Sequence, residues 1–109
     1  MSTVDERRRH PRSVVQWPAT VLTPQTQREG QIENISAVGG FISFAESAPL
    51  EWNFRMLIKP PNHQTISVVA KVIWSTVLNT DEGAPRFGVG VEFTRISESD
   101  RQFLAGNLE

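Results

Sequence analysis

Hydrophobic and polar residues alternate along most of this chain with a period of two, which is typical of β-strands with one buried face. The alternation begins at Ser13 and predicts a first strand that ends near Leu22. Its apolar face carries Val15, Trp17, Ala19 and Val21. Pro18 lacks a backbone N–H, so this strand is expected either to lie at a sheet edge or to contain a bulge.

Five further strands are predicted over residues 28–35, 40–44, 54–59, 65–77 and 86–93, with a hairpin loop over 79–85 between the last two. The longest has one alternating apolar face formed by Ile66, Val68, Ala70, Val72 and Trp74. In the last strand, Gly88 and Gly90 share the face opposite to the apolar residues. Paired glycines on one face indicate a bend, or a backbone or ligand that passes close by.

After Phe93 the period changes to that of a helix, for which Ser97 is a suitable N-cap and Glu98 and Asp100 suit the positive end. One side of this helix carries Ile96, Phe103, Leu104 and Leu108. The predicted fold is therefore mainly β: a six-stranded antiparallel β-barrel with one C-terminal α-helix. Residues 1–12 contain few apolar side chains and are expected to form a flexible arm, so the domain proper covers residues 13–109.

Composition narrows the functional classes. The 109 residues include no cysteine, and the two histidines, His10 and His63, are far apart, so we expect no metal site. The net charge of −1 argues against general DNA or RNA binding. No apolar run of membrane-spanning length and no signal-like start are present, so a cytoplasmic protein without membrane insertion is expected.

The basic residues are unevenly placed. Four of the eleven lie between Arg7 and Arg12, and all four are arginine, whose planar fork suits phosphate and guanine edges. A solvated charged tail is the alternative. The segment Asn34-Ile35-Ser36-Ala37-Val38-Gly39-Gly40 follows one strand later. If this segment is extended, its Asn and Ser side chains lie on the same side of the chain. Its glycines allow positive φ and close approach of another backbone. An ordinary polar turn between two strands is the alternative interpretation of the same residues.

No catalytic grouping is evident among the scattered carboxylates, and phosphate-binding loops and nucleophile elbows are lacking. We therefore predict a binding protein with no enzymatic activity and no cofactor.

The two segments together, RRxxxR followed after about 20 residues by (D/N)xSxxG, resemble the motifs of the PilZ family of bacterial receptors for cyclic di-GMP. Arg7, Arg8 and Arg12 match the first motif, and Asn34, Ser36 and Gly39 match the second, with Gly40 adjoining it. The resemblance covers nearly the whole chain and implies that these residues bind cyclic di-GMP.

The chemistry of that ligand agrees with the implied roles. Arginine pairs in bidentate fashion with guanine O6 and N7, whereas adenine presents a donor at N6. Arg8 and Arg12 would contact base edge and phosphate, and Arg7 would stack on a purine. Asn34 and Ser36 would donate or accept neutral hydrogen bonds at the other base edge.

Three further expectations concern stoichiometry and tryptophan. In the family, an arginine at the position of Arg7 accompanies two bound ligand molecules, so two molecules per domain are expected. Trp74 would offer a stacking surface, although its alternating apolar face favours a core position. Trp17 and Trp52 are assigned to the core or its rim, without a ligand role.

The expected mechanism is ordering of the arm against the barrel by the ligand, with output through a separate protein partner in motility, adhesion or exopolysaccharide control. Two alternatives remain open. One is a PilZ-like scaffold that binds a protein and no nucleotide. The other is a small barrel that binds single-stranded nucleic acid through a basic arm and aromatic side chains.

Overall fold

The computed structural model describes residues 12–25, 27–46, 53–79 and 83–106. Within these ranges, six strands are followed by one helix. They are β1 (Ser13–Leu22), β2 (Gln27–Ile35), β3 (Gly39–Phe44), β4 (Asn53–Ile58), β5 (Ile66–Leu78), β6 (Arg86–Ile96) and α1 (Glu98–Gly106). Each predicted element is confirmed, and the largest difference in length is at β6, which continues past Phe93 to Ile96. The predicted arm lies outside the described residues, apart from Arg12.

The strands form a closed antiparallel barrel in the order β1-β2-β3-β6-β5-β4. Because β1 pairs with both β2 and β4, Pro18 does not lie in an edge strand. The other alternative applies: the pairing of β1 with β2 is interrupted by a bulge between Val14 and Trp17, directly before Pro18. The Pro18 carbonyl still accepts a hydrogen bond from the backbone N–H of Lys59, at 2.9 Å.

The core lies inside the barrel and is formed by the alternating apolar positions that the sequence indicated. Burial of such side chains is the main favourable contribution to folding, at roughly 25 cal/mol per Å² of apolar surface. Fully covered side chains come from five of the six strands, among them Val21, Ile32, Ile42, Met56 and Ile66. The core assignment of Trp17 is confirmed, because it is buried in this cluster. Trp52 lies outside the described residues.

Helix α1 begins as the sequence predicts and packs on the barrel. The Ser97 hydroxyl accepts a hydrogen bond from the backbone N–H of Asp100, at 3.1 Å, which is the geometry of an N-cap. Leu104 is buried, and the Phe103 ring stacks on His63 with 3.7 Å between ring centroids. The Trp17 indole also stacks on the Phe103 ring, with 6.5 Å between ring centroids. Among the described residues, no helix has the length and apolar character needed to cross a bilayer.

Candidate ligand-binding face

The turn between β2 and β3 is closed by Ser36. Its backbone N–H donates to the Gly39 carbonyl at 2.8 Å. Its hydroxyl accepts from the Val38 N–H at 3.2 Å and donates to the Gly39 carbonyl at 3.4 Å. The Val38 carbonyl in turn accepts from the N–H of Phe93 in β6, at 2.8 Å. Ser36 is only 2% exposed, and these hydrogen bonds stabilise the conformation of the turn.

The two glycines that follow allow neighbouring backbones to approach. A Cβ at Gly39 would overlap the carbonyl oxygen of Val91, and one at Gly40 would lie 2.6 Å from the carbonyl oxygen of Asn34. The expected close approach is therefore present, but it is made by strands β6 and β2. Neither glycine uses the positive φ that a glycine allows, because among the described glycines positive φ occurs at Gly83, with φ 90°.

Asn34 begins a line of residues that crosses four strands on the outside of the barrel. Its strand partner is Phe41, which pairs with Gly90, which pairs with Trp74. Ile42 and Val91, the neighbours of Phe41 and Gly90 along the chain, are buried in the core, so alternation turns this line outward. We call these four residues, Asn34, Phe41, Gly90 and Trp74, the outer row.

Trp74 belongs to this face and not to the core. It is 48% exposed, and its indole stacks on the Phe41 ring with 5.2 Å between centroids and 21° between planes. The expectation of a core position is wrong because the pairing of β5 with β6 shifts between Val72 and Trp74. Such a bulge inserts one extra residue, which moves every later side chain to the other face.

The paired glycines on β6 provide space for these two rings. A Cβ at Gly90 would overlap the Trp74 indole, and a Cβ at Gly88 would overlap the Phe41 ring. The close approach predicted from Gly88 and Gly90 is thus made by aromatic side chains of the same domain. The result is a flat aromatic surface beside Asn34, suited to stacking with a planar base.

Asn34 carries an acceptor that no described residue satisfies. Its side-chain Oδ1 is buried, yet it makes no hydrogen bond within the part of the chain that the structure describes. An unpaired buried acceptor costs about 1–3 kcal/mol, so such groups commonly mark a position where a donor is supplied from outside the chain.

Strand β1 begins at this face. Ser13 pairs with Ile35 and Val14 with Asn34, so Arg12, which precedes Ser13 and is exposed, emerges beside the β2–β3 turn. Two segments more than 20 residues apart in sequence therefore meet at one edge of the barrel. Arg7 and Arg8 lie outside the described residues.

Sequence reasoning missed Phe41 and a polar cluster next to it. The cluster consists of Gln31, Glu33, Ser43 and Arg86, which meet on the outside of β2, β3 and β6. In the sequence, Gly88 and Gly90 indicated only that some other group packs closely on β6. The identity of the covering side chains depends on strand register, and two bulges shift that register by one residue.

The fold and sequence were compared with known proteins. The family model for the PilZ domain matches residues 6–108. No curated protein sequence matches the chain. Among solved structures, Bacillus subtilis inhibitor of motility (MotI/DgrA) superposes with a TM-score of 0.74 at 22% identity, over 91% of this chain and 48% of that one.

Two other solved structures contain cyclic di-GMP. The PilZ domain of YcgR from Escherichia coli superposes with a TM-score of 0.72 at 13% identity, over 90% of this chain and 86% of that one. The MrkH complex from K. pneumonia gives 0.75 at 16% identity, over 88% of this chain and 47% of that one. The chain thus spans about half the length of MotI and MrkH, and at these identities the likeness concerns the fold.

A family model that matches from residue 6 to residue 108, together with the closed six-stranded barrel and its C-terminal helix, shows that this chain belongs to the PilZ domain family.

Proposed function

We propose that this chain is a non-catalytic receptor for cyclic di-GMP, bound between the arginine arm and the outer row. The observation that carries the proposal is the pairing of Ser13 and Val14, which directly follow Arg12, with Ile35 and Asn34. The family membership and the cyclic di-GMP in the YcgR and MrkH structures support the same ligand.

Each half of the face offers a contact suited to this ligand. Arginines of the arm pair with guanine O6 and N7 or with phosphate oxygens, and Arg7 stacks on a purine. The unsatisfied Oδ1 of Asn34 accepts from a guanine N–H, and Trp74 stacks on a base. Ser36 is bonded within its turn, so its contribution is to hold Asn34 and the glycines in place.

Isothermal titration with cyclic di-GMP tests the proposal, with cyclic di-AMP, GTP and GMP as controls. The wild-type chain should bind cyclic di-GMP and ignore the other three. Arg8→Ala and Asn34→Ala should each weaken binding by about tenfold or more, because each removes a hydrogen bond to a base or phosphate. Arg95→Ala removes an equal charge from an exposed position on β6 and should leave the affinity unchanged.

Failure of the wild-type chain to bind cyclic di-GMP would contradict the proposal. Binding of random oligonucleotides with an affinity that falls steeply with salt would instead support a nucleic-acid-binding barrel. The same titration gives the stoichiometry: the arginine at position 7 leads us to propose two ligand molecules per domain, and saturation at one would remove that detail alone.

The proposed output is ordering of residues 1–12 against the barrel when the ligand is bound. Fixing the backbone of each residue costs about 1–2 kcal/mol, so charge-assisted contacts must exceed that cost. The changed surface would act in the cytoplasm on a separate protein, in control of motility, adhesion or exopolysaccharide output. Hydrogen exchange of the arm amides should slow in saturating cyclic di-GMP, and unchanged exchange would rule this switch out.

A further inference from the structure

The outside of the barrel carries a cluster of polar residues that is not among the proposed contacts of the arm, Asn34 and Trp74 with the ligand. The Ser43 hydroxyl donates to Glu33 Oε2 at 2.6 Å and accepts from Arg86 Nε at 3.1 Å and Nη2 at 2.8 Å. Gln31 Nε2 donates to the same Glu33 oxygen at 3.1 Å. Ser43 is fully buried, whereas Glu33 and Arg86 are half-buried and reach the surface. We call Glu33, Ser43 and Arg86 the polar triad.

The polar triad borders the aromatic surface. Ser43 lies two residues beyond Phe41 on the same face of β3, which is about 7 Å along the strand. Gly88, the strand partner of Ser43, is the glycine that the Phe41 ring covers. A base stacked on Phe41 would therefore bring one edge within reach of the triad.

The triad keeps one acceptor and one set of donors unused. Among the described residues, Glu33 and Arg86 do not form an ion pair with each other, and each hydrogen-bonds to the Ser43 hydroxyl. No hydrogen bond within the same part of the chain reaches Glu33 Oε1 or Arg86 Nη1. A carboxylate acceptor thus lies next to a guanidinium donor. Both groups reach the surface, and the buried Ser43 hydroxyl fixes the position of both.

This arrangement matches one edge of guanine. Guanine presents two donors, N1–H and the N2 amino group, next to the O6 acceptor. In the same orientation, adenine would place its N1 acceptor at the carboxylate and its N6 donor at the guanidinium, and it has no second donor to match the N2 amino group of guanine. A site whose half-buried polar groups are satisfied by one base leaves them unpaired with the other, and this mismatch is the stronger source of discrimination.

We infer that the polar triad recognises a second guanine, stacked on Phe41, with Glu33 Oε1 accepting from N1–H and N2–H and Arg86 Nη1 donating to O6. The inference rests on the proposed function and names a base contact additional to those of the arm and Asn34. Ser43 is a positioning residue, because it fixes both charged groups without reaching the base.

The test is titration with cyclic di-GMP and with cyclic di-AMP, using Glu33→Gln and Arg86→Ala. Glu33→Gln keeps the side-chain shape and an oxygen for Ser43, so the barrel should fold even if Arg86→Ala is destabilised. Each substitution should weaken cyclic di-GMP binding by about tenfold or more. Glu33→Gln should also narrow the preference over cyclic di-AMP, because an amide can face either base. Arg95→Ala is the matched control, with no change expected.

The titrations distinguish failure of the proposed function from failure of the guanine contact at the polar triad. If the wild-type chain does not bind cyclic di-GMP, the proposed function fails and this inference fails with it. If the wild type binds, Asn34→Ala weakens binding and both triad variants bind as the wild type does, only the inference is overturned. The triad would then be a polar network that joins β2, β3 and β6.

Discussion

Adding one methyl group at Gly90 tests whether this glycine exists to seat the Trp74 indole on the outer face. A Cβ there would overlap the indole, so in Gly90→Ala the ring must lift from its seat. The three atoms nearest to that Cβ all belong to the indole, so the ring is the first group that must move. The cost should therefore be the loss of contact between Trp74 and the face.

The magnitude follows from how much of Trp74 is covered. A tryptophan buries roughly 150–250 Å² when fully packed, and Trp74 is 48% exposed, so roughly 100 Å² is covered. At about 25 cal/mol per Å², this contact contributes at most about 2.5 kcal/mol. Replacing glycine by alanine also lowers the entropy of the unfolded chain, which offsets about 0.4–1 kcal/mol. The free energy of unfolding should fall by about 1–2 kcal/mol.

Urea denaturation followed by circular dichroism measures this change, and a double-mutant cycle assigns its cause. In a Trp74→Ala background, Gly90→Ala should cost nothing, because the ring that it displaces is gone. Gly106→Ala is the control, since a Cβ there has no atom within 4 Å and should not destabilise. An equal loss in both backgrounds, or no loss in either, would refute the explanation.

Three further predictions concern the turn and the helix. Gly39→Ala should destabilise more than Gly90→Ala, by about 2–3 kcal/mol in the same urea assay, because the added methyl meets the Val91 backbone carbonyl instead of a movable ring; a smaller loss than at Gly90 would contradict this. Ser97→Ala should lower the free energy of unfolding by about 1 kcal/mol through loss of the N-cap, and an unchanged value would argue against the cap. Hydrogen bonds from Arg101, and secondly from Gln102, lower the pKa of the Glu98 carboxyl from its ordinary value, so its contribution to stability is present above the unfolded pKa and is lost as pH falls through the folded one. NMR titration should therefore give a Glu98 pKa that rises towards the ordinary glutamate value in Arg101→Ala, and a pKa unaffected by that substitution would contradict the cause.

The barrel could be predicted from the sequence because its strands keep a strict period of two over most of their length. Burial of Trp17, Ile66 and Leu104 follows directly from that pattern and from the change of period after Phe93. Consecutive strands pair as β1–β2–β3 and as β4–β5–β6, with turn residues providing the connections. The barrel is closed by the non-consecutive pairs β3–β6 and β1–β4, which alternation alone does not predict.

The candidate site could be predicted only in part, because bulges are invisible to simple alternation. One extra residue between Val72 and Trp74 turns the tryptophan outward, and another irregularity between Ile32 and Asn34 shifts β2 against β3. Phe41 forms part of the aromatic surface because it packs on Gly88 of β6 and on Trp74 of β5, and no local sequence motif indicates these contacts. The glycine pair on β6 indicated a close contact without identifying which rings would make it.

An NMR titration tests the central claim, namely that the N-terminal arm and the outer row of the barrel bind the same guanine-containing ligand. In a ¹H–¹⁵N titration of the full chain with cyclic di-GMP, we expect shifts at the Asn34 side-chain amide, the Gly90 backbone and the Trp74 indole N–H, together with residues of the arm. Amides of β4 and helix α1 should stay in place. Shifts confined to β4 and α1, or a spectrum that does not change at saturating ligand, would contradict the account.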